Sequence, residues 1–312
     1  MLAACGGSQP PLGVPAGSHS YGASVPSFAQ RSSVTRGLYA VAFEQPSVFG
    51  YHSNNRRDKP PICTVPAQYT NDIAVDARGD LIVPEELSDS IVVYKGPQMC
   101  GPELGSVFDP YGQPGDAAST NAATGPIVVA NFVGSASPSS PGSLSICSLS
   151  VGCTANLTNP QMIRVAGVAL ALNGDCWASA EDSAGKARLI YFKRCSGGGR
   201  VARGFQNGGY GGLDIDNAGH LVSISFYNEL YVYKGCDPRC ILVSGPFPMQ
   251  GAVLYGHLNE KNTEFAAGNV SRPSVDVYKY TSKSLTFEYS FNKGFGPSDD
   301  IEGAAYNPRS KQ

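Results

Sequence analysis

Two short runs of oxygen-bearing side chains hold the most readable chemistry in this chain: Asn71-Asp72 and, near its far end, Asp299-Asp300-Ile301-Glu302. Carboxylates and amide oxygens are hard donors, the kind that Ca²⁺ and Mg²⁺ take, and a cation with an open position polarises a carbonyl. Asp72, Asp300 and Glu302 are therefore the expected metal ligands, with Asn71 and Asp299 beside them. No other cofactor than Ca²⁺ or Mg²⁺ is suggested. The competing role for Asp72 and Asp300 is local: short acids tie down turns through side-chain to backbone hydrogen bonds. A shared site also requires a fold that brings the two runs together.

Other combinations carry less. His19, His52, His220 and His257 read as scattered over tether, loop and turn, with no Ser or Cys at motif spacing, so a nucleophile and base pair is not expected. Gly208-Gly209-Tyr210-Gly211-Gly212 imitates a phosphate-binding loop but leads into a strand, where a dinucleotide fingerprint must leave one and open a helix. It reads as a turn between repeats. The acidic pairs Glu85-Glu86 and Glu181-Asp182 follow equivalent strands and read as solvated rim charge, and Arg56-Arg57-Asp58-Lys59 reads as a solvated loop tip. With 23 basic against 25 acidic residues, net charge -2, the chain offers no field for phosphate backbones, so nucleic acid is not an expected partner.

The elements that must position these groups are strands. In 312 residues only 15% are charged, while Gly (37), Pro (23) and Tyr (16) are abundant, which suits short strands and tight turns and leaves almost no helix to expect. One strand-turn-strand phrase returns: Ile73 to Leu81, Val168 to Cys176, Leu213 to Leu221. Its turns are anchored at Asp76, Asn121, Ala171, Asp216, Asn259 and Asn307, a mean step of about 46 residues, the length of a four-stranded propeller blade with its loops. Third strands follow as Ile91-Val92-Val93-Tyr94, Leu189-Ile190-Tyr191-Phe192, Leu230-Tyr231-Val232-Tyr233 and Val275-Asp276-Val277-Tyr278.

The two ends complement each other. Gly37-Leu38-Tyr39-Ala40-Val41-Ala42 enters at a second strand, and Gly303-Ala304-Ala305-Tyr306-Asn307 supplies only a first strand. Joining them makes a composite blade and removes exposed sheet edges. The expectation is an all-β, six-bladed β-propeller over residues 36–312, closed by the Ile301 to Asn307 strand against Gly37 to Ala42. Closure makes Asn71-Asp72 and Glu302 neighbours at one channel mouth, which is the condition the shared metal site needs.

The phrase G-x-A-x-D-x-x-G-x-L followed by I-x-V-Y resembles the NHL, SMP-30 and YncE-like group of six- or seven-bladed propellers, over nearly everything from Arg36 to Asn307. The resemblance implies the propeller fold. It allows either a binding module or a calcium- or zinc-dependent lactonase or lyase, because fold and activity are separable. The Glu-x-Pro-x-Trp phrase of SMP-30-like lactonases is missing, and the single tryptophan, Trp177, lies within a middle blade.

Leu2-Ala3-Ala4-Cys5, followed by Gly6-Gly7-Ser8, resembles the bacterial lipobox, which implies lipidation at Cys5. Residues 1–35, rich in Gly, Pro and Ser, read as a flexible tether behind that anchor. Nine cysteines less Cys5 leave eight. Cys236 and Cys240 flank a tight Asp-Pro turn, Cys147 and Cys153 flank a hairpin glycine, Cys176 and Cys195 lie near-symmetrically about a turn, and Cys63 and Cys100 remain. Four disulfides in those pairs are expected, although eight cysteines permit many other connectivities and a C-x3-C metal half-site is the alternative for Cys236 and Cys240.

The expected protein is thus a monomeric, lipid-anchored, extracytoplasmic binding module whose partner is a protein, glycan or small ligand. It would touch a membrane only through the anchor. The alternative is a metal-dependent hydrolase or lyase of the SMP-30/gluconolactonase kind working at the channel mouth.

Overall fold

The computed structural model of the chain describes residues 36–307, apart from 44, 136, 138, 207 and 208. Cys5 and the tether expected over residues 1–35 lie outside the described residues, as do residues 308–312. Among the described residues the strands form six four-stranded antiparallel sheets, each one blade of a β-propeller. One short 3-10 turn, Lys193–Cys195, interrupts the strands, and no helix among the described residues is long and apolar enough to cross a membrane.

The innermost strands, from blade 1 to blade 6, are Ile301–Asn307, Ala74–Val75, Gly112–Ser119, Arg164–Leu170, Leu213–Ile215 and Gly256–Leu258. In blade 1 the last strand of the chain is innermost and pairs with Gly37–Ala42, with Leu38 opposite Tyr306 and Ala40 opposite Ala304. The composite blade expected from the chain ends is therefore formed. Within each antiparallel blade the start of the innermost strand and the loop between second and third strands share one end of the ring, here called the entry face. The hairpin between first and second strands lies at the other, the hairpin face.

Blade strands are buried on both sides, so their sequences run apolar without alternation while the pleat still deals successive residues to opposite neighbours. Leu38, Ala40 and Ala42 pack against Ala266, Val275 and Val277 of blade 6. Tyr39 and Val41, on the other side of the same strand, pack against Ile73, Val75, Leu81 and Val83 of blade 2. Every seam between adjacent blades holds such a cluster.

The recurring hairpin is shaped by its acid and its glycine. Asp76 Oδ1 accepts the amides of Arg78 and Asp80, and Asp216 Oδ1 likewise accepts those of Ala218 and His220. Gly79, Gly174 and Gly219 follow with φ of 88°, 86° and 76°, a left-handed backbone that only glycine adopts without strain. Asp76 also reaches sideways, Oδ2 accepting Ala122 N of blade 3 at 2.7 Å. The tyrosines ending third strands are tied in the same manner: Tyr94 donates to Pro66 O of blade 1, while Tyr233 and Tyr278 accept the amides of Gln206 and Gln250.

All four expected disulfides are present: Cys63–Cys100, Cys147–Cys153, Cys176–Cys195 and Cys236–Cys240. They suggest folding in an oxidising, extracytoplasmic compartment. Cys63–Cys100 joins blade 1 to blade 2, and the other three close local turns.

Two surface expectations need correction. The Arg56 to Lys59 turn is not simply solvated. Arg56 pairs with Glu288 at 2.6 Å and lies over the Tyr289 ring, and Asp58 accepts the amides of Asn292 and Lys293, so the turn clamps blade 1 to blade 6. Nor are the acidic pairs free rim charge. Glu85 is buried and accepts from Ser88 and Ser90, while Asp182 is buried, closes its turn through Ala184 and Lys186 amides and pairs with Arg188. A short acid at such a turn finds fixed amides closer than solvent.

Candidate functional site

The innermost strands bring four ionisable side chains into the channel: Asp72 just before the blade 2 strand, Asp116 in blade 3, Asp214 in blade 5 and His257 in blade 6. Their relative exposures are 0%, 0%, 1% and 3%, so none meets bulk water. His257 Nε2 lies 3.2 Å from Asp72 Oδ2, and its Nδ1 lies 3.6 Å from Asp214 Oδ2. Ligand atoms of Asp72, Asp116 and His257 all lie within 4.8 Å of one another.

Each acid is built into the strands around it. Asp72, Asp116 and Asp214 each accept, through Oδ1, the amide of the residue that follows: Ile73, Ala117 and Ile215. Asp116 Oδ2 also accepts Val168 N of blade 4 at 2.7 Å, and Asp214 Oδ2 accepts Leu258 N of blade 6 at 2.9 Å. These bonds stitch innermost strands that the blades themselves do not pair. Space is tight, because a methyl at Gly303 would collide with Asp72 Oδ1.

Burial raises the pKa of Asp72, with His257 opposing the shift, and raises that of Asp116 further, since Asp72 adds to the burial. For His257 burial acts downward, but Asp72 and Asp214 outweigh it and carry the imidazole up to about 10. Tyr255, also buried, is held un-ionised first by burial and then by Glu302, Asp116 and Asp72.

Of the residues named from sequence, Asp72 turns into this cluster. Glu302 stands half-buried within electrostatic reach of it: burial, then Asp300, Asp72 and Glu86, raise its pKa to about 8. Asp300 is exposed. Asp299 is buried and committed to its own turn, accepting Gln45 Nε2 and Gly296 N. Asn71 Nδ2 donates to Glu86 Oε2 at 3.3 Å.

Sequence reasoning missed Asp116, Asp214, Tyr255 and His257. His257 belongs to the innermost strand Gly256–Leu258, not to a loop or turn. A signal was available: Asp214 and His257 stand two positions before the turn anchors Asp216 and Asn259, where the blade 2 and blade 4 copies have Ala74 and Ala169. An acid or histidine at that register departs from the small apolar residues that pack there in the seams of other blades.

Above the cluster the entry face is aromatic on two opposite sides. In blades 1 and 2, Phe43 and Tyr69 meet edge to face at 5.4 Å, with Leu87 exposed nearby in sequence on the following loop. In blade 5, Tyr210 stacks with Phe226 at 6.3 Å, and Phe226 and Tyr227 are 56% and 68% exposed. Between them Arg164 lies 5.5 Å over the Phe132 ring. A cleft of about 230 Å³ lined by Arg36, Glu260, Lys261, Glu264 and Tyr306 opens elsewhere and shares no residue with the cluster.

No protein-family model matches the sequence, and no curated protein matches it. Solved structures do match in fold. A protein of unknown function from Bacteroides caccae is 11% identical with a TM-score of 0.58, over 87% of this chain and 98% of its own. A chain of a nidogen/laminin complex is 10% identical with a TM-score of 0.66, over 88% and 99%. A functionally unknown protein from Desulfotomaculum acetoxidans DSM 771 is 12% identical with a TM-score of 0.54, over 86% and 83%. At such identities the likeness is one of fold, and the chain is similar to these proteins as a β-propeller.

Proposed function

We propose that this protein is an extracytoplasmic binding module that engages its ligand across the entry face, anchored by a lipid on Cys5. One observation carries the reading: exposed aromatic side chains flank the channel mouth in blades 2 and 5, while the channel acids Asp72, Asp116 and Asp214 are buried and engaged with backbone amides. Large exposed aromatics supply contact area at low entropic cost and dominate binding surfaces. Asn71, Glu86 and Glu302 offer hydrogen bonds between them. The ligand is then an extended one that lays apolar faces on the aromatics and turns hydroxyl or amide groups to the mouth. The nidogen/laminin neighbour, taken from a complex, supports a binding role for this architecture.

The test compares Phe226→Ala and Tyr227→Ala with Leu172→Ala, an exposed residue of a hairpin-face turn. Glycan arrays and immobilised extracellular proteins are screened with native protein. Binding should survive in Leu172→Ala and fall about tenfold or more in the aromatic variants. Equal binding by all three would overturn the reading. Anchoring is checked separately by the mass of the N-terminal peptide from membrane fractions, and an unmodified Cys5 would remove that part alone.

Glu302 favours a second reading. A carboxyl with a pKa of about 8 beside a channel mouth is suited to general acid and base work, which keeps a metal-dependent hydrolase or lyase in view. Turnover of lactone or ester substrates, abolished in Glu302→Gln, would replace the binding reading with this one.

A further inference from the structure

Asp72 and Asp116 are fully buried side by side, with His257 against them and Asp214 on the far side of its ring. Their oxygens accept fixed backbone amides, an arrangement built for carboxylates: Asp116 receives one on each oxygen, from Ala117 and Val168. Asp214 does the same, from Ile215 and Leu258. A protonated acid would forfeit part of this bonding. The nearest cation among the described residues is His257. A cation held between Asp72 and Asp116 would offset charge that backbone amides and one imidazole otherwise meet, and buried charge without compensation is costly.

His257 supplies the independent clue. It is a nitrogen ligand in an otherwise acidic group, and its buried Nδ1 makes no hydrogen bond. Nε2 faces Asp72, and Nδ1 faces Asp214 at 3.6 Å. An imidazole with one nitrogen toward carboxylate ligands and a further carboxylate behind the other is the arrangement by which proteins orient a metal-bound histidine.

We propose that Asp72, Asp116 and His257 hold one divalent transition-metal ion, of the Zn²⁺ or Mn²⁺ class, with Asp214 orienting the imidazole. Neutral His257 binds through Nε2 while its Nδ1–H donates a hydrogen bond to Asp214. Ligand atoms sharing an ion at about 2.0–2.2 Å stand at most about 4.4 Å apart. A tetrahedral ion holds ligand atoms about 3.4 Å apart, so from a spread of at most 4.8 Å the side chains close on the ion by up to roughly an ångström. One nitrogen and two carboxylates suit a borderline ion. Ca²⁺, which takes six to eight oxygens, does not fit this set. The site shares Asp72 with the Ca²⁺ or Mg²⁺ site expected at the mouth but differs in partners and in class of ion. Three protein ligands leave a four-coordinate ion one further position for a trapped water, and because all three ligands are closed to solvent the role we assign is structural. By joining blades 2, 3 and 6, with blade 5 behind, it would pin the ring at its centre.

The experiment uses the disulfide-bonded chain, isolated without chelator from cells grown with added Zn²⁺ and Mn²⁺. Elemental analysis after exchange into metal-free buffer should find about one equivalent of transition metal. Protein unfolded in guanidinium with chelator and refolded metal-free should melt several degrees below protein refolded with Zn²⁺. Refolding with Co²⁺ should give a visible ligand-field absorption that Asp116→Asn and His257→Gln lose. No metal in the isolated protein and no response of the refolded protein to Zn²⁺, Mn²⁺ or Co²⁺ would overturn the proposal. So would restoration by Ca²⁺ alone, or a Co²⁺ spectrum unchanged in a folded His257→Gln. Should both variants fail to fold, metal content and the Co²⁺ spectrum of the native sequence decide by themselves.

Discussion

His257 Nε2 lies 3.2 Å from Asp72 Oδ2, although 185 positions separate them and their blades are not neighbours. Blade 1, built from both ends of the chain, stands between blades 6 and 2. The contact therefore spans the channel, and it exists only because the ring closes. Asp214 on the other side of the imidazole and Asp116 beside Asp72 make the centre of the propeller ionic, while the seams between its blades are apolar.

Ring closure depends on the apolar face that the last strand presents to blade 6. Ile301 is fully buried in that seam. Ile301→Ala should cost about 2–5 kcal/mol in urea unfolding, and a chain ending before Ile301 should lose cooperative unfolding and self-associate through its open edge. An unchanged midpoint for Ile301→Ala would mean that the seam contributes nothing to stability.

Asp76 closes its own hairpin and also receives Ala122 N from the next blade. Asp76→Ala would leave that buried amide without a partner, so a loss of about 2–3 kcal/mol is expected. Asp76→Asn, which retains one acceptor oxygen, should fall between. Equal melting curves for the two variants would show that the bond between blades has no energetic weight.

The disulfides should not contribute equally. Cys63–Cys100 closes a loop of 37 positions and Cys236–Cys240 one of four. Loop-entropy arithmetic gives about 4 kcal/mol for the first and about 2 kcal/mol for the second. Replacing each pair by serine and measuring chemical unfolding should reproduce that order, and the reverse order would show that local geometry outweighs chain entropy.

Glu302 makes stability depend on pH. Its proton is held to about 8 in the folded chain, whereas an unperturbed glutamate ionises at 4.5. Between those values the folded state binds the extra proton, so the stability it contributes is full below the lower value and is lost as pH rises through the upper one. Glu302→Gln, which does not titrate, should melt with a shallower decline from about pH 5 to about pH 9 than the native protein. Parallel curves would show that Glu302 ionises normally.

Blade number and three of the disulfide pairings were legible because each rests on local chemistry, while closure and Cys63–Cys100 were read from what the chain ends and the other pairs left over. Turn residues such as Asp76 and Gly79 set the hairpins, β-branched and aromatic runs such as Ile91 to Tyr94 set the strands, and cysteines flanking one turn are close in any fold that keeps that turn. The channel was not legible in the same way. Asp214 is one polar residue in a three-residue strand, and His257 is one in another. Neither has a periodic pattern around it, and what each faces depends on the angular order of the blades. The burial of Glu85 and Asp182 and the hold of Arg56 on Glu288 were likewise decided by neighbours distant in sequence or by turn geometry. The sequence alone determined the repeating unit, which depends on short-range turns and strands, and the complementary strands at the two chain ends showed how they join. Only the tertiary structure decided which charges meet, because charges from different blades converge only when the ring has closed around them.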